Sequence, residues 1–281
     1  MTSFNVGRFI VCPDKKLYGI LIKIKEVKPA FLAKLASAAA EGNVDVLYFS
    51  YLKPLNLGEA GWSLAFLDFT ESNITPKKFV KQIKQLEFLE NVIELKPRIK
   101  GFLVDEASFP LVVGENRAVI IRDVGLKGLM FNIRRHVGSG AEAFLYFLGF
   151  EAGVEFAKEH KRLAGLLKIK DKLKIIRGIA PGLFMSMGYG AIRLLKLKED
   201  PPYILQRIYR CIECEQGANT KKPFSHFIRG VISGFSTEIF GVKMFTRENK
   251  CIAKGDPCCE FETFSEEGGR ARKILAKKRK G

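Results

Sequence analysis

The sequence predicts an α+β protein of two domains, and three observations carry that prediction. Residues 17–97 alternate strand-like and helix-like hydrophobic patterns in the order β-α-β-β-α-β, the ferredoxin-like plan. A longer α/β segment of mixed helices and strands follows, to about residue 264. The chain has 281 residues, 47% of them hydrophobic and 23 of them Phe, enough for about two ordinary cores.

Each element of the first domain has a local reason. Leu17-Tyr-Gly-Ile-Leu-Ile-Lys-Ile-Lys alternates with period two. From Lys28 to Ala40, Phe31, Leu32, Leu35 and Ala39 recur at helical spacing behind Pro29, a residue suited to a first turn. Val44 to Tyr51 and Trp62 to Phe69 are β-rich runs joined by a loop bearing Pro54, Gly58 and Gly61. Thr75-Pro76 opens a second helix with Phe79, Ile83, Leu86 and Phe88, and Val92-Ile-Glu-Leu closes the domain.

In the second domain the patterns predict strands at Phe102-Leu-Val and Ala118-Val-Ile-Ile, then helices at about 124–136, 140–164 and 170–187. A strand near Tyr189–Leu197 follows. Ile204 to Cys214 alternates as another, with Ile204, Ile208, Ile212 and Cys214 on one face. A helix over 222–239 starts at Pro223, and strands at 242–248 and 259–264 end the domain. The expected borders are 1–98, 99–268 and a basic tail at 269–281.

The net charge is +17, and seven Lys/Arg fall between Arg270 and Gly281. Such a tail attracts nucleic acid without sequence preference, or an anionic membrane, and equally serves only to keep the chain in solution. Apolar runs are broken by charge well before the ~18 residues of a membrane span. The N-terminus lacks a secretory layout, so a soluble cytoplasmic protein with reduced thiols is expected. No nucleotide-binding fingerprint or Ser/His/Asp arrangement is present, and no enzyme activity is expected.

Five of the six cysteines lie between Cys211 and Cys259, with His226 among them. Gly255-Asp256-Pro257 turns the chain between Cys251 and Cys258/Cys259. That arrangement suits a thiol metal site, a disulfide or a packed thiol core. Adjacent strand residues point to opposite faces, so one of Cys258 and Cys259 should join Cys251, and Glu213 and Cys214 share a site only across a bulge. Phe184, Met187 and Tyr189, beside Gly182, Gly188 and Gly190, are candidates for an apolar pocket wall or for ordinary core. Gly149-x-x-x-Gly153 and Gly230-x-x-x-Gly234 predict close helix packing or a dimer seam. His136 and His160 are expected at surface or helix-terminal positions.

Two resemblances add to this. Residues 17–97 are similar to the ACT family of small regulatory domains in element order and length. Glu213-Cys-Glu, Phe224-Ser-His-Phe-Ile-Arg-Gly and Glu248-Asn-Lys-Cys251…Gly255-Asp-Pro-Cys-Cys259-Glu-Phe resemble the 4-vinyl reductase (4VR) domain family over about 100–264. The resemblance implies an α/β ligand-binding fold shared with phenol-sensing transcription activators and with subunits of vesicle-tethering complexes. It implies a small aromatic or hydrocarbon-like ligand, a homodimer, and a zinc ion held by one Glu and three Cys. Two of those cysteines fall on Cys251 and Cys259. The Glu falls on Glu213 or Glu215, with Glu213 preferred. The third Cys falls on Ser225, a departure for which His226 or Cys214 is the chemical substitute.

Overall fold

The computed structural model describes residues 3–25, 29–52, 61–217 and 219–269. They divide into two compact units, Met1–Val119 and Ile120–Gly281. The linker residues Pro54 and Gly58 and the basic segment from Arg270 lie outside the described residues.

The first unit runs β1 (Phe9–Val11), β2 (Leu17–Ile24), α1 (Pro29–Glu41), β3 (Asp45–Leu52), β4 (Gly61–Asp68), α2 (Pro76–Lys84), β5 (Leu89–Leu95) and β6 (Phe102–Val104). A two-residue ribbon, β7 (Val112–Val113) with β8 (Asn116–Arg117), ends it. The four main strands form an antiparallel sheet in the order β3-β4-β2-β5. With β2 as first strand this is the ferredoxin-like arrangement. Thr75 caps α2 through its side chain, which accepts the Lys78 N–H, and Pro76 sits where a missing N–H costs nothing.

One face of the sheet packs Ile20, Ile22 and Ile24 against Phe31 of α1 and Phe79 of α2. The other face is covered by the chain itself. β1 pairs with β6, and Leu103 of β6, fully buried, packs with Leu17, Leu21, Phe66 and Leu95. For this reason the first unit continues past the expected border at 98/99, and Phe102–Val104 belongs to it.

The second unit begins with a helical segment: α3 (Asp123–Leu126), a π-helical stretch Lys127–Asn132, and α4 (Ile133–Val137). The long α5 (Gly140–Leu166) follows, then α6 (Lys172–Lys174), a second π-helical stretch Ile175–Ile179, and α7 (Ala180–Ser186). β9 (Ala191–Lys198), β10 (Tyr203–Tyr209), α8 (His226–Phe240), β11 (Met244–Lys250) and β12 (Cys259–Ser265) complete it. The sheet is antiparallel in the order β11-β12-β10-β9. Ile204, Ile208, Met244 and Phe261 of the sheet pack with Ile228, Ile232, Ile239 and Phe240 of α8.

α5 lies across α8 at backbone contact. A Cβ on Gly149 or Gly153 would stand 2.0 or 2.2 Å from the Phe227 or Val231 carbonyl oxygen. One on Gly230 or Gly234 would stand 2.1 or 1.9 Å from that of Tyr146 or Phe150. The two Gly-x-x-x-Gly patterns therefore face each other within one chain.

Three expectations are corrected. Residues 118–121 form no strand, and Val119, Ile120 and Ile121 are exposed. The strand expected to reach Cys214 stops at Tyr209, because Arg210 takes a left-handed φ of 55° and turns the chain. The helix expected from residue 222 starts at His226 behind Ser225.

Candidate metal centre

The centre is built where three chain segments leave regular structure. After the turn at Arg210, Cys211-Ile-Glu-Cys214 folds back so that the Glu215 N–H donates to the Cys211 carbonyl at 2.9 Å, and a 3₁₀ turn spans Cys214–Gln216. β11 carries an irregularity between Glu248 and Lys250. In a regular strand Glu248 and Cys251 would point to opposite faces; the extra residue brings them to the same side. Beyond Cys251 the chain makes a 3₁₀ turn at Ile252–Lys254, and Gly255 supplies a φ of 94° that returns it toward β12. The Asp256 carboxylate ties the loop by accepting the Cys251 N–H at 2.8 Å.

The result is a buried group of four donors. The sulfurs of Cys214, Cys251 and Cys259 and a carboxylate oxygen of Glu248 all lie within 4.8 Å of one another. Cys214 Sγ is 3.6 Å from Cys251 Sγ and 3.7 Å from Glu248 Oε1. These spacings are close to the ~3.8 Å edge of a tetrahedron whose metal–sulfur bonds are about 2.3 Å. All three cysteines are free thiols. The Phe224 N–H donates to Cys251 Sγ and the Ile252 N–H to Cys259 Sγ, each at 3.4 Å, as backbone donors do for thiolates. The Ser225 N–H donates to Glu248 Oε2 at 3.1 Å.

The electrostatics are those of anionic donors crowded out of water. Hydrogen bonds from Cys214 and then Cys259 hold Cys251 far below the usual thiol range. Sharing protons with Cys211 and Cys251 pushes Cys214 far up. Burial, then the charge of Cys251, raises the Glu248 carboxyl to about 9. A divalent cation relieves this crowding by replacing the protons that the group must otherwise retain. Three soft thiolates and one carboxylate in a closed, buried set fit a structural zinc ion.

Of the residues singled out from sequence, the structure brings Cys214, Cys251 and Cys259 together. Cys258 is buried and stands outside the group. Glu213 is placed elsewhere, at the N-terminus of α8. Its carboxylate accepts the N–H groups of His226, Phe227 and Ile228 at 3.0, 3.2 and 2.9 Å, and Arg134 Nη2 at 2.8 Å. It thereby satisfies the open end of the helix, which Ser225 does not cap through its side chain. His226 also stands apart: its Nε2 is 3.6 Å from Glu142 and its Nδ1 is 3.2 Å from Arg229 Nη2. Glu248 supplies the carboxylate instead, and its Glu-x-x-Cys spacing to Cys251 was the signal in the sequence. Cys211, fully buried, touches Cys214 and Cys259 from outside the set.

The aromatic residues expected near a pocket lie against the same core. Phe184 and Tyr189 rings are 5.2 Å apart and pack on the cluster that contains Cys214, Cys251 and Cys259, while Met187 is 47% exposed.

Residues 205–263 match the family model of the 4-vinyl reductase (4VR) domain. This segment is a 4VR domain. It contains the whole donor group and the Glu213 cap. An uncharacterized protein of Methanocaldococcus jannaschii, MJ1642, is 27% identical over 146 residues, 52% of this chain and 78% of its own. Among solved structures, the phenol-responsive sensory domain of the transcription activator PoxR, in complex with phenol, gives a TM-score of 0.50 at 18% identity. That comparison covers 58% of this chain and 86% of the PoxR domain, and the likeness is one of fold. A vinyl-4-reductase family protein of Methanocaldococcus jannaschii gives a TM-score of 0.36 at 21% identity, over 54% of this chain and 84% of its own. Among the described residues no helix is long and apolar enough to cross a membrane.

Proposed function

We propose that the protein is a non-catalytic regulatory sensor. Its 4VR domain takes a small apolar effector, aromatic or hydrocarbon-like, and Cys214, Glu248, Cys251 and Cys259 hold one zinc ion that braces the domain. The observation that carries this is the closed donor group itself, set in a domain whose fold is like that of a phenol-responsive sensor. A closed four-ligand set has no position left for a substrate, so zinc there acts on stability and not on chemistry. It ties the turn after β10, the start of α8 and the β11–β12 loop, while the aromatic core around Phe184 and Tyr189 offers the effector an adaptable wall. An effector works here by favouring one of two arrangements of that wall. The first unit, ACT-like in element order, serves as a companion regulatory domain.

A second reading is a homodimeric interaction module. It is favoured by the exposure of Phe144, Phe147 and Leu148, which share one face of α5.

Native mass spectrometry of protein purified without added metal tests the proposal. One zinc per chain and a copurifying apolar molecule are expected. Folded, metal-free protein overturns the zinc assignment, and a dimer that never carries or takes up an apolar molecule favours the second reading.

A further inference from the structure

In the first unit a cavity of about 320 Å³ lies between α1 and the helix-facing side of β3 and β4. Its origin is a run of small residues. Ala36 and Ala39 of α1 stand over Ala65 of β4, whereas elsewhere in the same layer Phe31, Ile20 and Ile22 fill the space. Phe79 of α2 closes one side. At the mouth, Val46 and Phe49 of the edge strand β3 are 48% and 36% exposed, an apolar rim on an apolar chamber.

Every lining residue is apolar. A water molecule needs two to four polar partners and finds none on these side chains. An empty chamber forfeits dispersion contacts along its whole lining. The same lining offers nothing to a carboxylate, an amine, a phosphate or a sugar, because burying any of these without a partner is costly. The volume is about twice the ~150 Å³ of an engineered apolar cavity that binds benzene.

We propose that this cavity is a binding site for an uncharged, apolar molecule of about the size of a bicyclic aromatic. It lies in the first unit and does not depend on the 4VR domain or its metal. Recognition is by shape and by exclusion of polar groups.

Naphthalene is the probe, added to the full chain carrying ¹³C-labelled methyl groups. Saturable shifts are expected for the methyls of Ala39, Ala65 and Leu67. Ala39→Leu fills the chamber and Ala36→Leu its mouth; each should weaken naphthalene binding at least tenfold while leaving the melting temperature unchanged or raised. Ala36→Leu adds its bulk at an exposed position and retains the test if the more buried substitution impairs folding. Three results overturn the proposal. One is the absence of saturable shifts in the first unit. Another is unchanged affinity in a folded Ala36→Leu protein. The third is movement of the Val46 and Leu67 methyls with protein concentration alone, which would assign the groove to a second copy of the chain.

Discussion

Arg134 and Glu213 meet at 2.8 Å where the carboxylate is fully buried, and the guanidinium lies 3.7 Å from the centre of the Phe224 ring. The pair joins α4 to the first turn of α8. Removing the carboxylate strands a buried cation and three backbone N–H groups together. Glu213→Ala is expected to cost about 3–5 kcal/mol, whereas Glu213→Gln, which still accepts from the helix, should cost less. Urea denaturation followed by circular dichroism measures both, and faster amide exchange at His226, Phe227 and Ile228 should accompany the loss.

The metal donors make a sharper test, because Cys214 stands in for a cysteine that the resemblance places at Ser225. Both positions border the group, since the Ser225 backbone N–H already reaches Glu248 at 3.1 Å. Cys214→Ser should reduce bound zinc from close to one equivalent to near zero, as should Cys251→Ser or Cys259→Ser. Ser225→Cys in the Cys214→Ser background should restore it. Elemental analysis after gel filtration reads all four outcomes. Retention of full zinc by Cys214→Ser would remove that residue from the set.

The fold was legible where one period governs a whole element. Period-two alternation located β2 and β4, Thr75-Pro76 located the start of α2, and the paired glycines located the α5–α8 contact. The site was legible in part, for the opposite reason. Alternation keeps Glu248 and Cys251 on different faces, and the irregularity of β11 that unites them has no signature in its residues. Glu213 and Cys214 both lie beyond the end of β10, so strand logic did not apply to either. The burial of Leu103 against the first sheet is a long-range contact, which is why Phe102–Val104 read as the start of the next domain.

His226 supplies a pH dependence with a definite sign. Burial is the main reason that its folded pKa lies near 4, below the ordinary value of 6.5. A proton taken up by the unfolded chain is then refused by the folded one. The stability is present above about pH 6.5 and is lost as pH falls toward 4. Glu213 works in the other direction: burial raises it to about 7 from 4.5, so its contribution is full at low pH and is lost as pH rises through about 7. The difference between wild type and His226→Gln isolates the histidine. Denaturation midpoints should fall more steeply between pH 6.5 and 4 in the wild type, and parallel curves would show that His226 already accepts its proton in the fold.

The crossing of α5 and α8 yields opposite effects from one kind of substitution. Gly165, near the end of α5, has nothing within 4 Å of its would-be Cβ. Gly165→Ala there gains helix propensity and should stabilise by about 0.5–1 kcal/mol. At Gly153 the same methyl would stand 2.2 Å from the Val231 carbonyl oxygen, and at Gly234 it would stand 1.9 Å from that of Phe150. Neither neighbour is a side chain that can rotate away, so the helices themselves must separate. Each of these substitutions should destabilise by about 1–3 kcal/mol despite the better propensity. Once one methyl has parted the helices, the second meets less resistance. Gly153→Ala/Gly234→Ala should therefore cost less than the sum of the single changes, by an interaction of at least about 0.5 kcal/mol. Urea denaturation of the four proteins checks this, and strict additivity would mean that the two contacts relax independently.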